Sequence, residues 1–130
     1  MQIIPVSNAL GANVSDVALD ELTDDQAAQL VDAWSEYGVL FFRDQHLTPD
    51  QHKAFARRFG DIDINRFFNA VDGHPEIAEV LKEADQTANI GGGWHTDHSY
   101  DPAPARGSIL YAREIPPIGG DTCFIGMGAA

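Results

Sequence analysis

His95 and Asp97 stand one residue apart in the run Gly92-Gly93-Trp94-His95-Thr96-Asp97. On an extended segment, residues i and i+2 project to the same side, so an imidazole and a carboxylate are expected side by side. They make two-thirds of the facial triad, two His and one carboxylate, that holds non-haem Fe(II) and leaves positions open for a co-substrate and O2. Spacing alone is a weak signal: five His and 14 Asp in 130 residues give roughly half a chance occurrence of His-x-Asp. The bland reading of the same pair is a loop histidine beside a solvated aspartate.

Other chemistry-bearing residues carry less. His74-Pro75-Glu76 repeats the His-x-acid spacing but sits beside Asp72-Gly73, where a turn is expected to aim the two groups apart. Alternation turns His98 to the face opposite His95 and Asp97. Trp94 either walls a site or packs in a core. Asp101 before Pro102 starts a turn, and Arg43-Asp44 reads as a structural pair. Arg106 could reach an anion, although a surface arginine is the commoner case. His46 and His52 belong to an exposed, solvated face, and Cys123 reads as a small buried hydrophobe. A zinc hydrolase built on His95 and Asp97 would need further His ligands, and only His98 is close in sequence.

Two helices are announced by their starts. Thr23 with Gln26 is a capping box, followed by Ala27, Leu30, Val31 and Trp34 at helical spacing and by Gly38 as the stop. Thr48, Pro49 and Gln51 repeat the signal, Ala54, Phe55, Arg58 and Phe59 follow, and Gly60 is the expected end. Strands are expected at 39–42, fully buried, and at 77–81, 108–112 and 122–125. Helices first and short strands later predict an α+β or mainly β fold. The last five residues, Gly126 to Ala130, carry no stop signal, and the open set of strands leaves edges unpaired. Residues 1–130 are therefore expected to form the N-terminal portion of one domain.

Composition sets outer bounds. With 44% hydrophobic and 22% charged residues the chain has globular character. Twenty acidic against eight basic residues give a net charge of −12, which argues against nucleic acid and anionic membrane as partners. One cysteine excludes an internal disulfide and a cysteine-built zinc site. No apolar stretch has the length of a membrane span and the start lacks a signal-peptide pattern. A cytoplasmic location is the expectation.

Several blocks, in order and with similar gaps over nearly the whole chain, resemble the TauD/TfdA (taurine dioxygenase-like) family. They are Phe41-Phe42-Arg43-Asp44-Gln45, Arg58-Phe59-Gly60, Gly92 to Asp97, Pro104-Ala105-Arg106-Gly107 and Gly119-Gly120-Asp121-Thr122. The resemblance implies a double-stranded β-helix (jelly roll) with N-terminal helices, incomplete within these residues. It implies an Fe(II)- and 2-oxoglutarate-dependent dioxygenase that uses O2 to hydroxylate a C–H bond of a small, anionic organic substrate, releasing succinate and CO2. His95 and Asp97 match two iron ligands, and Thr122 matches a threonine that binds a 2-oxoglutarate carboxylate. The family's distal His and 2-oxoglutarate-binding Arg have no match in this chain.

Where taurine-binding members carry a His, a Tyr and an Asn, this chain has Asn65, Phe68 and Gly91. That departure argues against a sulfonate, while these three positions and Trp94 remain the expected substrate region. Asp97 stands where related halogenases have a small residue, which favours hydroxylation. Oligomeric state varies in the family, so a homo-oligomer stays open. The alternative from another class is an acidic interaction domain or fragment, catalytically incompetent without the distal His and Arg.

Overall fold

The computed structural model describes residues 1–97 and 99–128. The expectation for His98 therefore lies outside the described residues. The chain divides into two units, Met1–Leu47 with Leu110–Ala130, and Thr48–Ile109.

In the first unit, β1 (Gln2–Pro5) pairs antiparallel with β2 (Ala12–Ser15), and β2 pairs parallel with β3 (Leu40–Phe42). Parallel neighbours cannot be joined by a tight turn, and α1 (Asp24–Tyr37) supplies the crossover. Its capping box is complete: the Thr23 side chain accepts from Gln26 N, and Gln26 Oε1 accepts from Thr23 N. The helix buries Ala27, Leu30 and Ala33, and β2 and the following turn add Ala12, Val14 and Leu19. Leu30 is the largest fully buried side chain among the described residues, a burial that contributes about 1.5–3 kcal/mol. Gly38 ends the helix at φ +71, and its N–H returns to Trp34 O at 2.8 Å.

Gln45 holds the chain after β3. Its Oε1 accepts from Leu19 N at 3.1 Å, while Nε2 donates to Val17 O and Arg43 O. The Tyr111 hydroxyl donates to Gln45 O and accepts from Leu47 N, both at 3.2 Å. This pins the returning segment that later carries Thr122.

In the second unit, α2 (Pro49–Ala56) begins with the Thr48 capping box and Pro49 at its first turn. Phe55 is its buried residue, edge-on to Phe59 with ring centroids 5.1 Å apart. A small hairpin, β4 (Ala70–Val71) and β5 (His74–Ala78), turns at Gly73, whose φ is +72. Charges join β5 to α2: Glu76 meets Arg57 at 3.3 Å and Lys53 at 3.8 Å, and Lys53 also holds Asp50 at 3.0 Å. The Lys53 hydrogen bond and its charge hold the Asp50 carboxyl below its ordinary value.

Several expectations need correction. α2 ends at Ala56, one turn before Gly60, because Arg57 to Phe59 close a tighter turn. β3 is only half-buried along its three residues, not fully buried. The hairpin strand is His74–Ala78 rather than 77–81, so His74 and Glu76 stand on a strand, not in a turn. β1 and β2 were not expected at all. No strand forms at 108–112 or 122–125, and none lies beyond Ala78 among the described residues. A strand exists only through a hydrogen-bonded neighbour, and those segments have none here. The α+β character stands, and the jelly roll is not formed within the described residues.

Candidate metal centre

The second unit brings His95 and Asp97 together. His95 Nε2 lies 3.3 Å from Asp97 Oδ1, although the segment is irregular chain rather than strand. Two further bonds orient them. His95 Nδ1 is 2.8 Å from Gly93 O, and a carbonyl only accepts, so Nδ1 carries the proton. Ser108 Oγ donates to Asp97 Oδ2 at 2.7 Å. Gly91 turns the chain beside the ring at φ +68, a conformation L side chains rarely adopt, and a Cβ there would be in ordinary contact 3.4 Å from His95 Cε1.

These contacts decide which atoms face each other. With Nδ1–H committed to Gly93, neutral His95 presents the Nε2 lone pair to a carboxylate oxygen. Two acceptors at that distance attract only with a cation between them, either a proton or a metal ion. Two donors, each about 2.1 Å from one ion and at right angles to it, stand about 3.0 Å apart. The observed 3.3 Å is compatible with two adjacent ligands of one divalent ion and equally with a proton shared between imidazole and carboxylate. The groups are a little over half exposed, at 58% and 57%, so an incoming ion reaches them. Among the described residues, no cluster of three His, Cys, Asp or Glu forms a complete metal site.

The other expected site residues are placed as follows. Asn65 Oδ1 accepts from Phe67 N at 2.8 Å and Phe68 N at 3.2 Å, so its carbonyl shapes the turn that presents both aromatic rings. Phe68 lines a depression of about 350 Å³ with Phe67, Leu81, Ile90, Glu79 and Glu83. His95 and Asp97 do not line it. Trp94 is 72% exposed and packs in no core. Thr122 lies in the first unit, exposed and in irregular chain.

Other assignments change. Cys123 is exposed, not buried. His52 is half-buried rather than solvated, and burial lowers its pKa. Arg106 Nη1 donates to Phe59 O at 3.1 Å, meeting a carbonyl just beyond α2. His74 and Glu76 realise the His-x-acid spacing on a strand, yet both face α2: His74 Nδ1 lies 3.7 Å from Asp50 Oδ1, and Glu76 pairs with Arg57. Sequence reasoning missed Ser108, whose only signal was a hydroxyl eleven residues beyond Asp97.

Comparison with known proteins gives the same picture from another side. The profile of the family described as "Taurine catabolism dioxygenase TauD, TfdA family" matches residues 2–130. The chain is 37% identical over 131 residues to the (S)-phenoxypropionate/alpha-ketoglutarate-dioxygenase of Sphingobium herbicidovorans, covering 98% of this chain and 46% of that protein. It is 38% identical over 139 residues to the enzyme of the same name from Delftia acidovorans, covering 100% of this chain and 48% of that protein. The crystal structure of a taurine dioxygenase from Burkholderia xenovorans superposes with a TM-score of 0.55 at 37% identity, over 62% of this chain and 31% of that one. The chain thus spans about half the length of the curated relatives it matches.

Proposed function

Because this chain belongs to the TauD/TfdA family of dioxygenases, we propose that the full-length protein is an Fe(II)- and 2-oxoglutarate-dependent dioxygenase with His95 and Asp97 as two of its iron ligands. The approach of His95 Nε2 to Asp97 Oδ1, with Nδ1 already committed elsewhere, carries this reading. When Fe(II) and 2-oxoglutarate are bound, the chemistry supplied is O2-dependent hydroxylation of a C–H bond, with succinate and CO2 released.

The chain's own residues have narrower tasks. His95 offers a neutral nitrogen in a fixed tautomer, because the Gly93 carbonyl holds the proton on Nδ1. Asp97 offers Oδ1 as an anionic donor while Oδ2 is engaged by Ser108. Thr122 is proposed to donate its hydroxyl to a 2-oxoglutarate carboxylate.

For the substrate, we propose a small aromatic acid. The two relatives are named for (S)-phenoxypropionate. Further support is limited to the apolar side chains gathered at the depression beside Phe68, which His95 and Asp97 do not line. Phe67, Phe68, Leu81 and Ile90 suit a ring, whereas Glu79 and Glu83 repel a carboxylate, so the acid end points away from them. Asn65, Phe68 and Gly91 put no cation where a sulfonate would sit.

The test supplies Fe(II), ascorbate and 2-oxoglutarate to the full-length protein and measures succinate release. Release is expected with an aryloxyalkanoate and not with taurine, and it is lost in His95→Ala and Asp97→Ala. No turnover across a broad panel of carboxylates and sulfonates, or unchanged activity in either variant, sinks the proposal. A second reading concerns residues 1–130 alone, which lack a complete ligand cluster among the described residues. They are expected to bind Fe(II) weakly under argon, and tight stoichiometric binding contradicts it.

A further inference from the structure

We propose that Ser108 is a positioning residue for the metal centre: its hydroxyl occupies one oxygen of Asp97 and so holds the carboxylate as a one-oxygen ligand beside His95. This rests on the dioxygenase reading above.

A carboxylate has two nearly equivalent oxygens and rotates freely about its last bond when exposed. Asp97 is 57% exposed, so burial does not fix it. What fixes it is the 2.7 Å bond from Ser108 Oγ to Oδ2, which leaves Oδ1 turned to His95 Nε2 at 3.3 Å. A hydroxyl donating to one carboxylate oxygen shares that oxygen's charge, which favours metal contact through the other. The imidazole is fixed by the matching device, Nδ1–H to Gly93 O at 2.8 Å. Each proposed ligand therefore has its remote atom engaged and its near atom presented, the arrangement expected of supporting groups around a metal.

Ser108 is itself held in place within the same unit. Two residues earlier, Arg106 Nη1 donates to Phe59 O at 3.1 Å, and its side chain passes beside Gly60, where a Cβ would be in ordinary contact 3.8 Å from Arg106 Cδ. The turn that follows α2 thus locates the segment that carries the Ser108 hydroxyl. The Ser-Asp bond spans eleven residues, so it closes a loop rather than restating local chain geometry.

The test is anaerobic Co(II) titration of the full-length protein, followed by visible absorption, for wild type, His95→Ala, Asp97→Ala, Ser108→Ala, Ser108→Cys and Ser108→Thr. Far-UV circular dichroism is recorded for each. Losing an outer partner of a ligand lowers metal affinity about 10- to 100-fold, and that loss is expected in Ser108→Ala. Ser108→Cys, a weak donor, should fall likewise, and Ser108→Thr should stay near wild type. Unchanged circular dichroism in the Ser108 variants separates loss of the hydroxyl from loss of the fold. Wild-type affinity in Ser108→Ala and Ser108→Cys, with binding lost in His95→Ala and Asp97→Ala, overturns the Ser108 role alone. Equal weakening by Ala and Thr also overturns it, because the hydroxyl is then not the cause. A wild-type protein that binds no Co(II), or binds it as well as His95→Ala does, sinks the dioxygenase reading and this inference together.

Discussion

Replacing Gly38 with alanine should destabilise the first unit by about 0.5–3 kcal/mol. The residue sits at φ +71, and Val39 N returns to Tyr37 O across it at 2.8 Å, a three-residue turn that L side chains resist. Backbone alone costs roughly 1–2 kcal/mol for a residue with a Cβ. The new Cβ would also stand 2.8 Å from Leu10 Cδ1, inside contact distance. That atom ends a flexible side chain, so it moves aside at about 0.5–1.5 kcal/mol. Reduced freedom of the unfolded chain returns roughly 0.4–1 kcal/mol.

With a urea m-value of about 1–3 kcal/mol/M, the unfolding midpoint falls by about 1 M at unchanged slope. Leu10→Ala in the Gly38→Ala background should recover the contact part and not the backbone part, giving a non-additive double-mutant cycle. A Gly38→Ala protein as stable as wild type would refute the link between this turn and the start of β3.

Two further outcomes follow from local chemistry. Thr23→Ala removes the acceptor that caps Gln26 N and should cost about 0.5–2 kcal/mol, read as a lower urea midpoint; no change would mean α1 is set by packing alone. His52 has a folded pKa below the ordinary 6.5 because burial penalises its charge, against a hydrogen bond with Ile109 that pulls it up. The unfolded chain therefore takes up this proton first, so stability is unaffected above that value, declines as pH falls through it, and levels off below the folded pKa. His52→Gln should flatten that decline in urea midpoints, and an unchanged slope would contradict it.

Local chemistry in the sequence was readable, and pairing between distant segments was not. Thr23 with Gln26 and Thr48 with Gln51 announce their helices because a capping box is complete within four residues. Gly38 marks its helix end for the same reason. β1 and β2 escape because Gln2–Pro5 is short and ends in proline, so only its pairing with β2, between residues seven to thirteen apart, defines it. Proline at 75 suggested a turn, yet β5 tolerates it in a two-stranded hairpin.

Segments 108–112 and 122–125 have strand composition without a partner strand, and Ile118 between them is 91% exposed. At the candidate centre, the spacing of His95 and Asp97 was visible, and the two side chains lie 3.3 Å apart without a strand beneath them. Ser108 and the Gly93 carbonyl, which orient the pair, carry no sequence pattern that marks them.

The most direct measurement is anomalous diffraction from crystals of the full-length protein soaked anaerobically with Mn(II). The expected result is one peak about 2.0–2.2 Å from both His95 Nε2 and Asp97 Oδ1. A peak elsewhere, or one touching only one of the two residues, would contradict a shared metal ion.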